Sequence, residues 1–244
     1  MKKIVVKDVV FNEGLPKICV PLVGKTKEEL YEELEQLSWD SVDIIEWRMD
    51  MCEELDNAIE IARKLSSEYP LLATFRTTFE GGTKEISLKE YVQLYKSLID
   101  HQVVDIIDVE YQREEVVKEL VEYAHTHDVK VVLSYHNFNY TPQEKEIFAH
   151  MRNMQKLNAD ICKIAVMPKN EEDVINVLQT SNHLKKQIDT PYILVSMGKL
   201  GIITRMCVDF MGCCMTFGKA IQSSAPGQVA HEQLKEILMV LHQK

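Results

Sequence analysis

No stretch of the sequence is apolar for long enough to span a lipid bilayer, and residues 1–8 lack the apolar segment of a signal peptide. Basic residues are in the minority: 28 lysines and arginines stand against 38 aspartates and glutamates, which gives a formal net charge of -10. No Lys/Arg-rich block opposes this balance. We therefore expect neither a membrane nor nucleic acid as a partner, whereas a local arginine cluster still permits an anionic small molecule.

The six cysteines show neither a C-x-x-C pair nor a Cys/His spacing that would indicate a metal site. Most of them lie in apolar, strand-like segments, which favours buried, reduced thiols. Reduced thiols are typical of a reducing compartment, so we expect a cytoplasmic protein. A G-x-G-x-x-G fingerprint is also missing after the first predicted strand, which makes a doubly wound dinucleotide-binding sheet the weaker alternative for the fold.

Short apolar runs alternate with amphipathic segments along the chain, an order that is typical of a (β/α)8 TIM barrel in the α/β class. The predicted strands are 17–21, 42–48, 71–75, 104–109, 129–135, 161–167, 192–196 and 213–217. The predicted helices are 27–37, 55–67, 88–99, 114–125, 142–158, 171–186 and 229–242. No linker interrupts this pattern, so we expect one barrel domain over residues 1–244.

Segments outside the regular alternation are predicted separately. Residues 4–11 predict an additional strand, with 12–14 as the turn into the barrel, and we interpret them as an N-terminal β-hairpin closing the bottom of the barrel. Residues 200–212 are too short and too broken to predict a helix. Side chains that satisfy first-turn amides predict four helix starts, at Thr26, Ser87, Asn170 and Thr141, the last followed by Pro142 at the first helical position.

Lys163 is unusual because it lies inside an apolar run, 161–167, that predicts a strand buried on both faces. Burial disfavours a charged ammonium, and a neutral amine is a nucleophile whose natural target is a ketone or aldehyde, with a Schiff base as the product. The alternatives are a lysine that reaches out of the strand end to solvent and a lysine paired with a nearby carboxylate.

Other polar residues fall at the carboxyl ends of the predicted strands, where barrels carry their chemistry. In chain order they are Glu46, Arg48, Arg76, Glu80, Asp108, Glu110, His136, Lys163, Ser196, Arg205, Ser224 and Gln228. Each one alone has a structural explanation, such as an ion pair or a turn. Together they place more charge on one buried rim than is stable unless the charges pair or bind something. The arginines predict a carboxylate or phosphate on the substrate.

The segments around these residues resemble those of type I 3-dehydroquinate dehydratases. They are EWR at 46–48, TFRT at 74–77 with EGG at 80–82, SYHNF at 134–138, KIAVMP at 163–168, SMG at 196–198 with Arg205, and SAPGQ at 224–228. The resemblance implies a barrel that needs no metal or other cofactor. It also implies a homodimer and the conversion of 3-dehydroquinate to 3-dehydroshikimate in the shikimate pathway of aromatic amino acid biosynthesis.

The resemblance also implies roles for individual residues. Lys163 would form the Schiff base, His136 would act as general acid and base, and Glu80 would orient His136. The predicted substrate-binding residues are Arg205 for the carboxylate, Ser224 and Gln228 in a closing loop, Glu46, Arg48 and Arg76 at hydroxyl-binding or site-shaping positions, and Met197 and Phe217 as apolar walls.

Two other functions remain as alternatives. An aldolase-like Schiff-base lyase would need a phosphate site, and no glycine-rich phosphate loop follows the seventh or eighth strand. A catalytically silent barrel that binds pathway acids would have no need for Lys163, His136 and Glu80 together.

Overall fold

The computed structural model describes residues 1–242, in which eight parallel strands form a nearly closed barrel. A small hairpin of β1 (Ile4–Val6) and β2 (Val9–Phe11) precedes it. The barrel strands are β3 (Lys17–Leu22), β4 (Ile44–Arg48), β5 (Leu71–Thr74), β6 (Ile106–Glu110), β7 (Lys130–Asn137), β8 (Ile161–Val166), β9 (Tyr192–Ser196) and β10 (Met215–Phe217). The strand order is β10-β3-β4-β5-β6-β7-β8-β9. Where the two edge strands β9 and β10 approach each other, the Cys214 N–H donates to the carbonyl of Tyr192 at 2.9 Å. The predicted (β/α)8 barrel is confirmed.

Helices connect the strands and cover the outside of the sheet. They are α1 (Lys27–Glu35), α2 (Ala58–Glu68), α3 (Leu88–Asp100), α4 (Glu114–Thr126), α5 (Glu144–Lys156), α6 (Glu171–Leu184), α7 (Ile202–Met206), α8 (Val208–Met211) and α9 (His231–Leu241). Each helix within residues 1–242 is too short or too polar to cross a bilayer.

Strand alternation divides the apolar residues into an inner and an outer core. On β8, Ile161 and Ala165 pack with the apolar cluster inside the barrel, whereas Cys162 and Ile164 pack with the cluster between sheet and helices. Successive side chains of a strand point to opposite faces, so Lys163 shares the inner face with Ile161 and Ala165. Cys162 therefore points away from the barrel interior.

The N-terminal hairpin is confirmed, but its turn lies elsewhere. Val6 pairs with Val9, so the chain reverses at residues 7–8, and a single strand over 4–11 was wrong. Lys7 adopts a positive φ of 50° there, in a turn without glycine or proline to mark it. Val6 and Phe11 pack with the inner cluster of the barrel.

Helix starts were predicted with mixed success. Thr26, Ser87 and Asn170 cap their helices as predicted, and Ser87 forms a complete capping box with Glu90. The start at Thr141 was wrong, because α5 begins at Glu144 and the Thr141 hydroxyl donates to the carbonyl of Met167 at 3.2 Å instead. The segment 200–212, for which no helix was predicted, contains the short helices α7 and α8.

Candidate active site

Lys163 lies inside the barrel and is only 7% exposed. Its Nζ lies 3.3 Å from Asp108 Oδ2 and 3.6 Å from Glu46 Oε1, and it lies over the ring of Phe217, 4.2 Å from the centroid. A lysine that reaches out to solvent is therefore wrong. The structure confirms the burial of Lys163 and shows that the lysine is paired with carboxylates.

His136, near the end of β7, lies beside Glu80. Its Nδ1 is 2.9 Å from Glu80 Oε2, and its side chain is 11% exposed. Burial lowers the pKa of His136 well below its usual value, and the positive charges of Arg76, Lys163 and Arg48 add to the effect. The imidazole is therefore neutral near pH 7, with Nδ1 directed to Glu80 and Nε2 left for another partner.

Glu80 reaches His136 because the chain turns sharply after β5. The residue ends a 3₁₀ turn, Thr78–Glu80, and Gly82 follows, where a Cβ would lie only 1.9 Å from the carbonyl oxygen of Arg76. Burial raises the pKa of Glu80 well above its usual value, against the opposing charge of Arg76. The shifts of Glu80 and His136 both disfavour a full ion pair of carboxylate and imidazolium, and the two side chains are held together by the hydrogen bond of 2.9 Å.

Arg76 connects this pair to the lysine. Its guanidinium donates to Asp108 Oδ1 at 2.6 Å and to Glu80 Oε2 at 3.2 Å, and to Ser134 and Glu110 at 2.9 and 3.4 Å. Burial opposes ionisation of Asp108, but Arg76 and Lys163 hold its pKa below the usual value. The contacts form one continuous chain, Lys163–Asp108–Arg76–Glu80–His136.

Arg205 on α7 has few partners in comparison. Its Nη2 donates to the carbonyl of Pro226 at 3.1 Å, and its buried Nε has no hydrogen-bond partner among residues 1–242. Burial lowers the pKa of Arg205 to about 10. A buried guanidinium with an unsatisfied donor is suited to bind an anion from outside the protein.

The loop after β10 lies over the mouth of the barrel and is held by internal contacts. Ser224 N–H donates to Gln228 Oε1 at 2.8 Å, and Gln228 Nε2 donates to Ser224 Oγ at 3.1 Å. Arg48 donates to the carbonyl of Ser224 at 3.2 Å while it binds Asp50 through two hydrogen bonds, of 2.9 and 2.8 Å. The loop and the rim are therefore in direct contact.

One cavity at the carboxyl end of the strands is lined by every site residue that the sequence predicts. These are Lys163, His136, Glu80, Glu46, Arg48, Arg76, Arg205, Ser224, Gln228, Met197 and Phe217. Among the residues assigned no role, Asp108, Glu110 and Ser134 join the network around Arg76. Asp108 and Glu110 are among the polar strand-end residues of the sequence analysis, and strand alternation could have added Ser134, which lies two residues before His136 on β7. Over residues 1–242, no group of histidines, cysteines and acidic residues is arranged to hold a metal ion.

Comparison with known proteins identifies the family. Residues 18–244 match the family model described as type I 3-dehydroquinase. The chain belongs to the type I 3-dehydroquinase family. As a member it is a hydro-lyase of the shikimate pathway.

Relatives of this family match the whole chain. The 3-dehydroquinate dehydratase of Clostridioides difficile is 43% identical over 99% of this chain and 98% of its own. A crystal structure of a Clostridium difficile type I 3-dehydroquinate dehydratase, with covalent modified comenic acid, has a TM-score of 0.94 at 42% identity and covers 99% of this chain and 98% of that one. The Geobacillus kaustophilus 3-dehydroquinate dehydratase also has a TM-score of 0.94, at 31% identity, over 98% of this chain and 96% of that one.

Proposed function

We propose that this protein removes water from 3-dehydroquinate to give 3-dehydroshikimate, through a Schiff base on Lys163 with His136 as general acid and base. The observation that carries the proposal is the buried Nζ of Lys163 in a cavity that also holds the imidazole of His136, which is hydrogen-bonded to Glu80. On the sheet, Lys163 lies opposite Ser134 of β7, and His136 is two residues further toward the rim. Nucleophile and base therefore come from adjacent strands and face the same interior.

The first step requires a neutral amine. Asp108 and Glu46, at 3.3 and 3.6 Å, lie close enough to accept a proton from the ammonium at Nζ. The amine then bonds to the substrate ketone carbon, and loss of water gives an iminium. The iminium withdraws electrons from the neighbouring carbon, which makes its C–H acidic enough for a side-chain base.

His136 can both remove the proton from the substrate and protonate the leaving hydroxyl, because the His136–Glu80 pair can carry either one proton or two. With one proton between them, Nδ1–H donates to the Glu80 carboxylate and Nε2 can accept the substrate proton. With two protons, Nε2–H can donate to the hydroxyl that leaves as water. Hydrolysis of the product imine then frees Lys163 for another cycle.

The remaining residues would bind and enclose the substrate. Arg205 is proposed to bind the carboxylate, since it has donor capacity that the protein does not use. Ser224 and Gln228 would close the mouth, and Glu46 and Arg48 would bind hydroxyls. Arg76 is proposed to shape the site, because both of its terminal nitrogens already donate to protein acceptors. Met197 and Phe217 would keep water from the iminium.

We also propose the organisation and setting of the protein. One barrel domain over residues 1–244 is supported by the single family match from 18 to 244. A cytoplasmic location is supported by six free cysteines, five of them buried. A homodimer is proposed from the resemblance to the family, and size-exclusion chromatography with light scattering tests it.

Reductive trapping tests the proposed mechanism. Borohydride added with 3-dehydroquinate should attach the ligand to the peptide that contains Lys163, and mass spectrometry should locate the adduct on that residue. Lys163→Ala should form no adduct and should show no turnover in an ultraviolet assay for the conjugated enone product. An adduct on another lysine, or turnover retained in the alanine variant, would exclude the proposed nucleophile.

A further inference from the structure

Phe217 lies directly beside the amine that the proposed mechanism uses. The Nζ of Lys163 is 4.2 Å from the centroid of the Phe217 ring. Lys163 is 7% exposed and Phe217 is 5% exposed, so bulk water is largely excluded from the contact. The face of an aromatic ring carries partial negative charge and attracts cations, most strongly where both groups are desolvated.

We propose that Phe217 is a catalytic residue whose ring face stabilises the cationic iminium on Lys163, beyond its role as an apolar wall. The inference deepens the proposed function and rests on the Schiff base. Phe217 lies on β10 and Lys163 on β8, so the two strands place the Lys163 Nζ over the face of the Phe217 ring inside the barrel.

The ring matters more after condensation than before it. An ammonium has three N–H donors, and in the protein alone Lys163 directs its Nζ toward Asp108 and Glu46. An iminium nitrogen keeps one N–H, so most of its capacity to donate to these carboxylates is lost. The attraction of the ring for a cation needs no N–H. Because Nζ stays tethered to β8, the ring remains close to the charge throughout the reaction.

The charge balance of the steps locates the effect. When Nζ bonds to the carbonyl carbon, a neutral carbinolamine forms, which takes up one proton and releases its hydroxyl as water. The positive charge then lies on the C=N bond, where the ring stabilises it. Removal of the adjacent proton converts the iminium into a neutral enamine, which the ring does not favour. Phe217 should therefore increase the fraction of imine without accelerating the proton removal that follows.

Fluorination of the ring separates this role from packing. Fluorine withdraws electron density from the ring face and changes the shape of the side chain little. Proteins with phenylalanine, 4-fluoro-, 3,5-difluoro- and 3,4,5-trifluorophenylalanine at position 217 would be mixed with subsaturating 3-dehydroquinate and quenched with borohydride. We expect the ratio of adduct-bearing to free chains on Lys163 to fall with each added fluorine, by about tenfold over the series.

The control is the same series at Phe11, a fully buried ring that packs with the apolar residues at the bottom of the barrel. Its adduct ratio should not change with fluorination. A constant ratio at position 217, together with a normal adduct in the unsubstituted protein, would overturn the role of Phe217 and leave the Schiff base intact. The absence of any adduct in the unsubstituted protein would overturn both.

Discussion

At the scale of the residue, Asp108 connects Lys163 to Arg76, which in turn donates to Glu80. One carboxylate oxygen lies near Lys163, and the other accepts hydrogen bonds from Arg76 and from Ser134 Oγ, both at 2.6 Å. The side chain is fully buried. A buried carboxylate with two cationic neighbours is stable only as part of this arrangement, so a change there should affect both folding and chemistry.

We expect Asp108→Asn to destabilise the fold by about 3–5 kcal/mol, because it removes a buried negative charge that Arg76 and Lys163 both contact. Turnover should fall more than tenfold, because Lys163 loses the nearer of its two carboxylates. Urea unfolding and the enone assay measure the two effects.

Glu110→Gln is the matched control for Asp108→Asn. It removes a negative charge that Arg76 and Arg113 both contact but none that contacts Lys163. We expect it to lower stability while turnover and reductive trapping change little. If both variants lost turnover equally, Asp108 would act only through Arg76 and the structure of the cluster.

His136 leads to a prediction about the pH dependence of stability. The unfolded chain binds a proton at this histidine near pH 6.5, whereas the pKa in the folded protein is well below that value. The contribution of the neutral His136 to the free energy of unfolding is therefore fully present above about pH 6.5. It decreases as the pH falls toward the lower pKa that His136 has in the folded protein. We expect His136→Asn to lose less stability than the parent between about pH 6.5 and 5, measured by urea midpoints. His150 and His231 also have lowered pKa values, but they are shared by both proteins, so parallel curves would contradict the assignment.

At the scale of the element, periodicity predicted the order of strands and helices better than their ends. Alternation of apolar runs reflects burial, which the barrel imposes on every strand. The ends depend on single contacts that no local pattern reveals. Thr141 has the residue type and spacing of a helix cap, yet its hydroxyl binds Met167 at the end of the next strand. The hairpin turn at Lys7 likewise lacks a local signal.

The turn after β5 permits a prediction at this scale. We expect Gly82→Ala to destabilise the protein by about 1–3 kcal/mol, because the added Cβ would meet the Arg76 carbonyl and push the turn outward. Glu80 would move away from His136, so kcat should fall while the KM changes less. Gly14→Ala is the control, since a Cβ there meets nothing within 4 Å and the residue lies in the turn that leads into β3, at the opposite end of the barrel. It should cost stability through its positive φ alone and leave kcat unchanged.

At the scale of the whole molecule, the strand-end rule predicted which residues surround the cavity but not which of them bind each other. The strand-end rule alone does not distinguish Arg48, Arg76 and Arg205. In the structure Arg76 faces four acceptors and Arg48 binds one aspartate twice, whereas Arg205 Nε has none within the described chain. The difference follows from barrel register and side-chain reach, which bring distant strands together and leave no trace in local sequence.

Substrate should therefore stabilise the entire barrel through Arg205. If its carboxylate satisfies this buried cation while the ketone carbon is bonded to Lys163, the ligand joins α7 to β8. We expect the borohydride-reduced adduct to raise the Tm by about 5 °C or more, measured by calorimetry.

Arg205→Met separates the two contributions. The variant should bind substrate more weakly by about 2–4 kcal/mol, seen as a higher KM, because the charge-assisted hydrogen bonds are lost. Its own Tm without ligand should rise, because the substitution removes a buried charge whose Nε has no partner in residues 1–242. Its adduct, formed at high substrate concentration, should add little to that Tm. An equal gain in Tm for the parent and variant adducts would mean that the carboxylate binds a different residue.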